Sequence, residues 1–189
     1  MTLRILAFAG SLSSASWNRK LLDEALRFAP ETFSVTSIHL KDYPLPLYDA
    51  DLEKETGLPE PAIQLRALMK EHHGLLIASP EYNGGMTGVL KNTLDWMSRK
   101  HGTERGLDPF MYKPAAVISA SPGPYGGARS LQATVFLLHR LGCVVLPDTL
   151  SVPNCETAFN GAGQLTGKNE KALRRVMETL ARITLKLNG

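Results

Sequence analysis

Short apolar runs alternate with segments of helical periodicity along most of this chain. Four apolar runs have the length of strands, and a fifth segment alternates with β-branched side chains: residues 2–9, 33–38, 74–79, 114–121 and 143–146. Apolar side chains recur at helical spacing in the segments between and after them: residues 21–29, 62–71, 88–99, 128–141 and 173–187. This alternation predicts an α/β fold with a doubly wound five-stranded parallel sheet and helices on both faces.

Three polar loops rich in small residues follow predicted strands. We call them the first polar loop (residues 10–18), the second (79–86) and the third (119–129). They follow the first, third and fourth strands, so all three lie at the carboxyl edge of a parallel sheet. A flavodoxin-like strand order, 2-1-3-4-5, places its ligand beside strands one and three, where the two most polar loops lie. This order is therefore favoured over a six-stranded dinucleotide-binding sheet.

The first polar loop combines four serines with Asn18 immediately before a helix. Hydroxyls and the free N–H groups of a helix start can bind an anion. The loop has neither a Walker motif nor GxGxxG, so it predicts a compact neutral cradle for one terminal phosphate. The alternative is a serine cluster that only caps the helix.

The second polar loop has the composition of a site for a planar ring. Asn83, Gly84 and Gly85 allow close approach of backbone amides, and Tyr82 offers a flat face. Glu81 has two possible roles, as a general acid or base or as a solvated or helix-capping carboxylate. In the third polar loop, prolines add stiffness and glycines allow close approach, although a tight turn without function would have the same composition. The coincidence of three such loops at one edge favours a binding site.

Residues 42–61 carry four prolines and no hydrophobic period. They predict either an ordered loop over the surface or a weakly structured excursion. Trp96, on the helix after the second polar loop, is predicted to lie in the core or at a subunit contact.

Composition narrows the possible environments and partners. The 189 residues are 43% hydrophobic and 21% charged with net charge +3, and the basic side chains are scattered, so neither nucleic acid nor an anionic membrane is expected. Only Cys143 and Cys155 are present, and Cys143 lies in an apolar run typical of a buried thiol. We expect no signal peptide, no membrane span, no metal site and a cytoplasmic protein.

Taken together, these motifs resemble the NADPH-dependent FMN reductase family, which includes bacterial quinone, chromate and azo-dye reductases. The signatures are the start of the first polar loop, the Pro80–Asn83 run, the tripeptide Leu90–Asn92 with the pairs Asp95–Trp96 and Ser98–Arg99, and the end of the third polar loop. The proline-rich segment 44–49 also resembles the family's excursion after its second strand. The resemblance covers nearly the whole chain.

The resemblance implies a single flavodoxin-like domain over residues 1–189 that binds FMN non-covalently, and it assigns residues to the two ends of that cofactor. Those implied at the phosphate are Ser11, Ser16, Trp17 and Asn18, with Ser13 at the position where the family commonly has arginine. Those implied at the isoalloxazine ring are Pro80, Glu81, Tyr82, Asn83 and Gly84 on one side and Ser119, Ser121 and Gly123 on the other.

The activity that the resemblance implies is an FMN-dependent NAD(P)H oxidoreductase. It would pass a hydride from NADPH or NADH through FMN to a small-molecule acceptor: a quinone, an azo compound, a metal oxyanion or a flavin. Hydride transfer through a flavin needs no protein acid or base, so no catalytic side chain is predicted. The alternatives are a flavodoxin-type electron carrier and a flavin-dependent redox sensor. The resemblance further implies a homodimer or homotetramer.

Overall fold

A computed structural model describes residues 2–189. Its strands, in chain order, are β1 (Leu3–Ala9), β2 (Phe33–His39), β3 (Gly74–Ala78), β4 (Glu81–Tyr82), β5 (Gly85–Met86), β6 (Pro114–Ala120), β7 (Val144–Val145) and β8 (Leu150–Val152). Its α-helices are α1 (Trp17–Leu26), α2 (Ala50–Thr56), α3 (Glu60–Glu71), α4 (Gly88–Met97), α5 (Ala128–Arg140), α6 (Cys155–Ala158) and α7 (Gly167–Asn188). Within this part of the chain, no helix has the length and apolar character needed to cross a membrane.

The main sheet has the order β2-β1-β3-β6-β7, and every pairing in it is parallel. This is the flavodoxin-like order 2-1-3-4-5 predicted from the sequence, so the predicted fold class is confirmed. Because the strands are parallel, β1, β3 and β6 deliver the three polar loops to the same edge.

The sequence predicts the fifth strand as one uninterrupted run over residues 143–146, but the structure has two separate short strands in this region, β7 and β8. β6 pairs with β7 near its start and with the separate strand β8 near its end, where Ile118 lies opposite Leu150. Pro147 stands between the two pieces and has no backbone N–H to give to the ladder, so the strand is divided there.

Alternate side chains of the central strands form two cores, one on each face of the sheet. Ile5 and Ala7 of β1 pack in one core with residues of α1 and α7. Leu6 and Phe8 pack in the other core with residues of α3, α4 and α5. The near-continuous apolar runs in the sequence have this origin, because a strand covered on both faces buries every side chain.

Residues 42–61 form an ordered path that includes a helix the hydrophobic pattern did not predict. Asp49 caps α2 by accepting from the backbone N–H groups of Asp51 and Leu52, and Gly57, with a φ of 75°, follows its end. No residue of α2 is buried, so the helix has no hydrophobic stripe to detect. Of the two alternatives for this segment, the ordered one is confirmed.

Both cysteines are free and buried. Burial raises the pKa of the Cys143 thiol to about 12 and that of the Cys155 thiol to about 11. Both thiols are therefore protonated at neutral pH, and the predicted burial of Cys143 is confirmed.

Trp96 has no exposed surface, and its indole N–H donates to the carbonyl of Pro46 at 2.8 Å. Its predicted place in the core is confirmed, whereas the alternative of a subunit contact through this side chain is wrong. The residue instead attaches the proline-rich segment to α4.

Candidate active site

The three polar loops meet at a cleft of about 200 Å³ at the carboxyl edge of the sheet. Nine of the site residues predicted from the sequence line it together: Ser11, Ser13, Ser16, Trp17, Asn18, Pro80, Glu81, Tyr82 and Ser121. Ala15, Ala120 and Pro122 complete the lining. These three residues could be predicted only from their position next to predicted site residues, because alanine and proline have no polar side-chain group that would mark them as binding residues.

The first polar loop has backbone N–H groups without an acceptor, two of them on Ser11 and Ser16, which line this cleft. Among residues 2–189, the N–H groups of Ser11, Leu12, Ser14 and Ser16 have no hydrogen-bond acceptor. Ser16 caps α1, since its Oγ accepts from the N–H of Arg19 at 3.3 Å. Ser16 thus acts as a helix cap, and the free donors beside a helix start are suited to an anion.

Asn18 lines the cleft but uses its carboxamide elsewhere. Its Nδ2 donates to the carbonyl of Ala120 at 2.8 Å, and its Oδ1 accepts from the Ala120 N–H at 3.0 Å. These bonds attach the start of α1 to the end of β6. The residue therefore joins two of the polar loops through its side chain.

A larger cavity, about 690 Å³, adjoins the cleft on the far side of residues 14–17. It lies against α1 and residues 162–164 and contains no residue of the second polar loop. Lys20 lines it, with its Nζ at 4.8 Å from the ring centroid of Trp17 and 4.6 Å from that of Phe159. No lysine or arginine lines the smaller cleft itself.

The second polar loop forms a two-residue hairpin between β4 and β5. Asn83 and Gly84 occupy its turn with φ values of 52° and 76°, the combination of a type I′ turn. An Asn-Gly pair is a strong sequence signal for such a hairpin, which the expectation of a simple loop overlooked. The turn lies outside the cleft lining, while Tyr82 lines it with 61% of its surface exposed.

Glu81 acts as a helix cap across a long stretch of chain. Its Oε2 accepts from the N–H groups of Arg129 and Ser130 at 2.9 and 3.2 Å, and its Oε1 pairs with the Arg129 guanidinium at 3.2 Å. The capping alternative predicted for Glu81 is confirmed. Both oxygens of this carboxylate therefore have partners elsewhere in the fold.

The third polar loop divides its predicted residues between the cleft and the interior. Ser121 lines the cleft, whereas Ser119 is fully buried and its Oγ donates to the carbonyl of Ser79 at 2.7 Å. Gly123 lies off the cleft, and its carbonyl accepts from the N–H groups of Gly126 and Asn154. Four predicted residues are thus not part of the lining: Asn83, Gly84, Ser119 and Gly123.

A flavodoxin-like sheet with polar loops converging at the edge of β1 and β3 defines a class of proteins that bind flavin nucleotides there. The chain belongs to the NADPH-dependent FMN reductase family, whose model matches residues 3–157. The family match agrees with the cleft, since all twelve lining residues lie within the matched range.

Individual relatives match over nearly their whole length. An NAD(P)H-dependent FMN reductase from Pseudomonas aeruginosa is 34% identical over 188 residues, which is 97% of this chain and 94% of the relative. An NAD(P)H:quinone oxidoreductase from Solanum tuberosum is 34% identical over 195 residues, or 99% and 95% of the two chains.

A similar solved structure is the flavoenzyme NAD(P)H:(acceptor) oxidoreductase of Paracoccus denitrificans. It superposes with a TM-score of 0.80, is 27% identical and covers 98% of each chain. Together with the family match, these relatives confirm the predicted family, the predicted enzyme class and the predicted use of FMN with NADPH or NADH.

Proposed function

We propose that the protein binds FMN in the 200 Å³ cleft and uses NAD(P)H to reduce small acceptors such as quinones, azo compounds, metal oxyanions or free flavins. One observation carries the assignment of the site: nine residues from three loops, predicted separately, line a single cleft. Quinones are the first class to test, because the relative from Solanum tuberosum is named as a quinone oxidoreductase.

The first polar loop fits the phosphate end of FMN. The free N–H groups of Ser11 and Ser16, which both line the cleft, supply donors, and the start of α1 supplies partial positive charge. Ser13 supplies a hydroxyl where the resemblance leads one to expect arginine, so the cradle holds its anion without a cationic side chain in the cleft lining. The proposed phosphate site is therefore a site of neutral donors.

The second polar loop fits the ring end. Pro80 and Tyr82 offer flat apolar surface at the cleft, and the Asn83 and Gly84 N–H groups have no acceptor among residues 2–189. When bound, FMN supplies the hydride chemistry between NAD(P)H and acceptor. The protein supplies position, donors and an apolar face, and no side chain is assigned as acid or base.

The visible spectrum of the purified protein tests this proposal directly. The protein is mixed with FMN, desalted, and then given NADPH without oxygen; we expect a retained flavin spectrum that bleaches. A retained spectrum that stays oxidised with both NADPH and NADH would contradict the reductase activity. Absence of FMN binding in an equilibrium titration would contradict the site itself.

Tyr82→Ala then tests the ring end. The loss of an aromatic face should weaken FMN binding about tenfold, since an aromatic contact contributes about 0.5–1.5 kcal/mol beyond the area it buries. Tyr112→Ala is the matched control, because Tyr112 is similarly exposed, at 73%, and lies outside the cleft. Equal affinities for both variants would remove Tyr82 from the site.

A homodimer or homotetramer in the cytoplasm completes the proposal. Phe136 on α5 is 70% exposed beside an apolar hollow that includes Leu131 and Val135, a surface suited to contact with a second copy. The two free thiols are suited to a reducing compartment. Light scattering should show an oligomer that Phe136→Glu disrupts; a wild-type monomer at working concentration would contradict it.

A further inference from the structure

Helix α5 begins without a cap of its own. Its N-cap position is Gly127, with a φ of 81° and no side chain to accept from the helix N–H groups. The Glu81 carboxylate supplies that acceptor from the second polar loop, 48 residues away, through the Arg129 and Ser130 N–H groups. The helix start and the loop therefore stabilise each other.

Buried hydroxyls continue this connection behind Glu81. Ser130 Oγ donates to the carbonyl of Pro80 at 2.7 Å and lies 2.7 Å from Ser79 Oγ. Ser79 Oγ is also 2.8 Å from Thr134 Oγ1, one turn further along α5. Each of the three residues from Ser79 to Glu81 thus has a polar contact with the first turns of α5.

The second polar loop and the start of α5 also lie close together. A Cβ atom at Gly127 would lie 2.0 Å from Ser119 Oγ and 3.7 Å from Glu81 Cβ. A Cβ atom at Gly84, in the turn that follows Tyr82, would lie 3.6 Å from Arg129 Cδ. The turn of the second polar loop therefore packs against the same arginine whose N–H and guanidinium bind Glu81.

We propose that Glu81 is a positioning residue for the flavin: by capping α5 it fixes Tyr82 at the cleft and, next to the cleft lining, the Asn83-Gly84 turn, whose free N–H groups would meet an edge of the ring that extends beyond the cleft. This inference rests on the proposed FMN site. The ring gains negative charge on reduction, so fixed N–H donors favour the reduced form over the oxidised one. Loss of the cap should then weaken the binding of reduced FMN more than that of oxidised FMN.

The test compares Glu81→Ala and Glu81→Gln with Asp49→Ala. Asp49 caps α2, which lies outside the cleft, so its variant loses a cap of the same kind without touching the proposed site. Three quantities are measured for each protein: the melting temperature, the dissociation constant for oxidised FMN, and the midpoint potential of bound FMN.

We expect Glu81→Ala to raise the dissociation constant for oxidised FMN about tenfold, as is typical when hydrogen bonds to a charged group are lost. The midpoint potential should also fall by about 30 mV, which corresponds to a further tenfold loss of affinity for reduced FMN. Asp49→Ala should lower the melting temperature and leave both flavin readouts unchanged. Glu81→Gln keeps one oxygen that can accept from both N–H groups and loses the oxygen that pairs with the Arg129 guanidinium, so it should give shifts of the same sign and smaller size.

Unchanged affinity and potential in Glu81→Ala, with a melting temperature lowered as in Asp49→Ala, would overturn the inference and reduce Glu81 to a structural cap. If Glu81→Ala does not fold, Glu81→Gln decides, and an unchanged potential in that variant overturns it. Failure of the proposed function gives a separate result, because the wild-type protein would then bind no FMN.

Discussion

The middle of the first polar loop, residues 11–16, and the second polar loop lie at the same cleft but are held in place in different ways. The ends of the first loop have distant partners, which are Ala78 and Thr87 for Gly10 and Ala120 for Asn18. The hydroxyl bonds of the first loop are local and long: Ser11 Oγ accepts from Ser13 N–H at 3.2 Å, and Ser13 Oγ accepts from Ala15 N–H at 3.3 Å. The second loop is held by distant partners at shorter range, such as the 2.7 Å bond from Ser130 Oγ to the Pro80 carbonyl.

This difference matches what each loop has to do in the proposed site. A phosphate group is compact and accepts hydrogen bonds from many directions, so a loop with free N–H groups and modest local order is sufficient. A planar ring has to be met at defined atoms along one edge, which requires a backbone held by the rest of the fold. We therefore expect substitutions that remove long-range anchors of these loops to have larger effects than substitutions within residues 11–16.

Thr87→Val should produce the largest change. Thr87 is buried, its Oγ1 donates to the Gly10 carbonyl at 2.6 Å, and it caps α4 by accepting from the Leu90 N–H. Removing the hydroxyl leaves the Gly10 carbonyl without a donor and the Leu90 N–H without an acceptor. The free energy of unfolding should fall by roughly 2 kcal/mol as a result. Urea unfolding measures this loss.

The control for Thr87→Val is Thr157→Val, which removes an exposed hydroxyl that donates to the Asn154 carbonyl at 3.1 Å. It should cost well under half as much. Equal losses would show that the long-range bond from Thr87, directly after the second loop, to Gly10 of the first loop has no special weight, and the expected larger effect of long-range anchors would fail.

Ser13→Arg sharpens the comparison from the side of the first loop. Ser13 is exposed and its only side-chain bond is the 3.3 Å contact to Ala15 N–H, so the larger residue meets little resistance. A cation beside the proposed phosphate site should tighten FMN binding about fivefold at low salt, and the gain should shrink as salt rises. Fluorescence titration at two salt concentrations measures both effects.

Thr103→Arg adds the same charge at an exposed position outside the cleft and serves as the control. If it tightens FMN binding as much as Ser13→Arg does, the effect comes from net charge, and Ser13 is not at the phosphate.

The smallest expected effect is the change in stability with pH that arises from His72, a residue outside the cleft lining. His72, at the end of α3, is buried, with Nδ1 at 2.6 Å from the Leu68 carbonyl and Nε2 at 2.7 Å from Thr36 Oγ1. Burial lowers the pKa of His72 below its ordinary value of about 6.5. The unfolded chain then binds more protons, so stability is fully present above that ordinary value and falls as the pH drops through the lower folded-state pKa.

Urea unfolding should show that the wild-type protein is less stable at pH 5 than at pH 7. Part of this difference should disappear in His72→Gln, whereas the whole difference should persist in His101→Gln, because the His101 side chain is exposed. The dependence would have another origin if both variants behaved like the wild type. His73 adds to the same trend, since burial lowers its pKa as well.

Much of the fold could be predicted because its signals are local. A strand buried on both faces is a continuous apolar run, and β1, β3 and β6 all appear as such runs. Helix α2 could not be found in this way, because none of its residues is buried. Its Asp49 cap and terminal Gly57 were the available signals, and they are too common in loops to stand alone.

The sequence predicted most of the residues that line the candidate site, but not the hydrogen-bond partners of their side chains. Asn18 and Glu81 belong to polar loops beside the cleft, as predicted, but both side chains bind backbone elsewhere in the fold. The Asn83-Gly84 turn was readable from its two residues alone, because a type I′ turn demands a positive φ at both positions.

The sequence by itself determined the alternation of strands and helices, the sheet order it favours and the edge at which the polar loops collect. These features depend on hydrophobic period and residue type over a few positions. Only the tertiary structure decided that Asn18 bonds Ala120, 102 residues away, and that Glu81 caps a helix 48 residues away. A hydrogen bond between distant residues requires no pattern in the chain near either partner, so it becomes visible only when packing brings the two together.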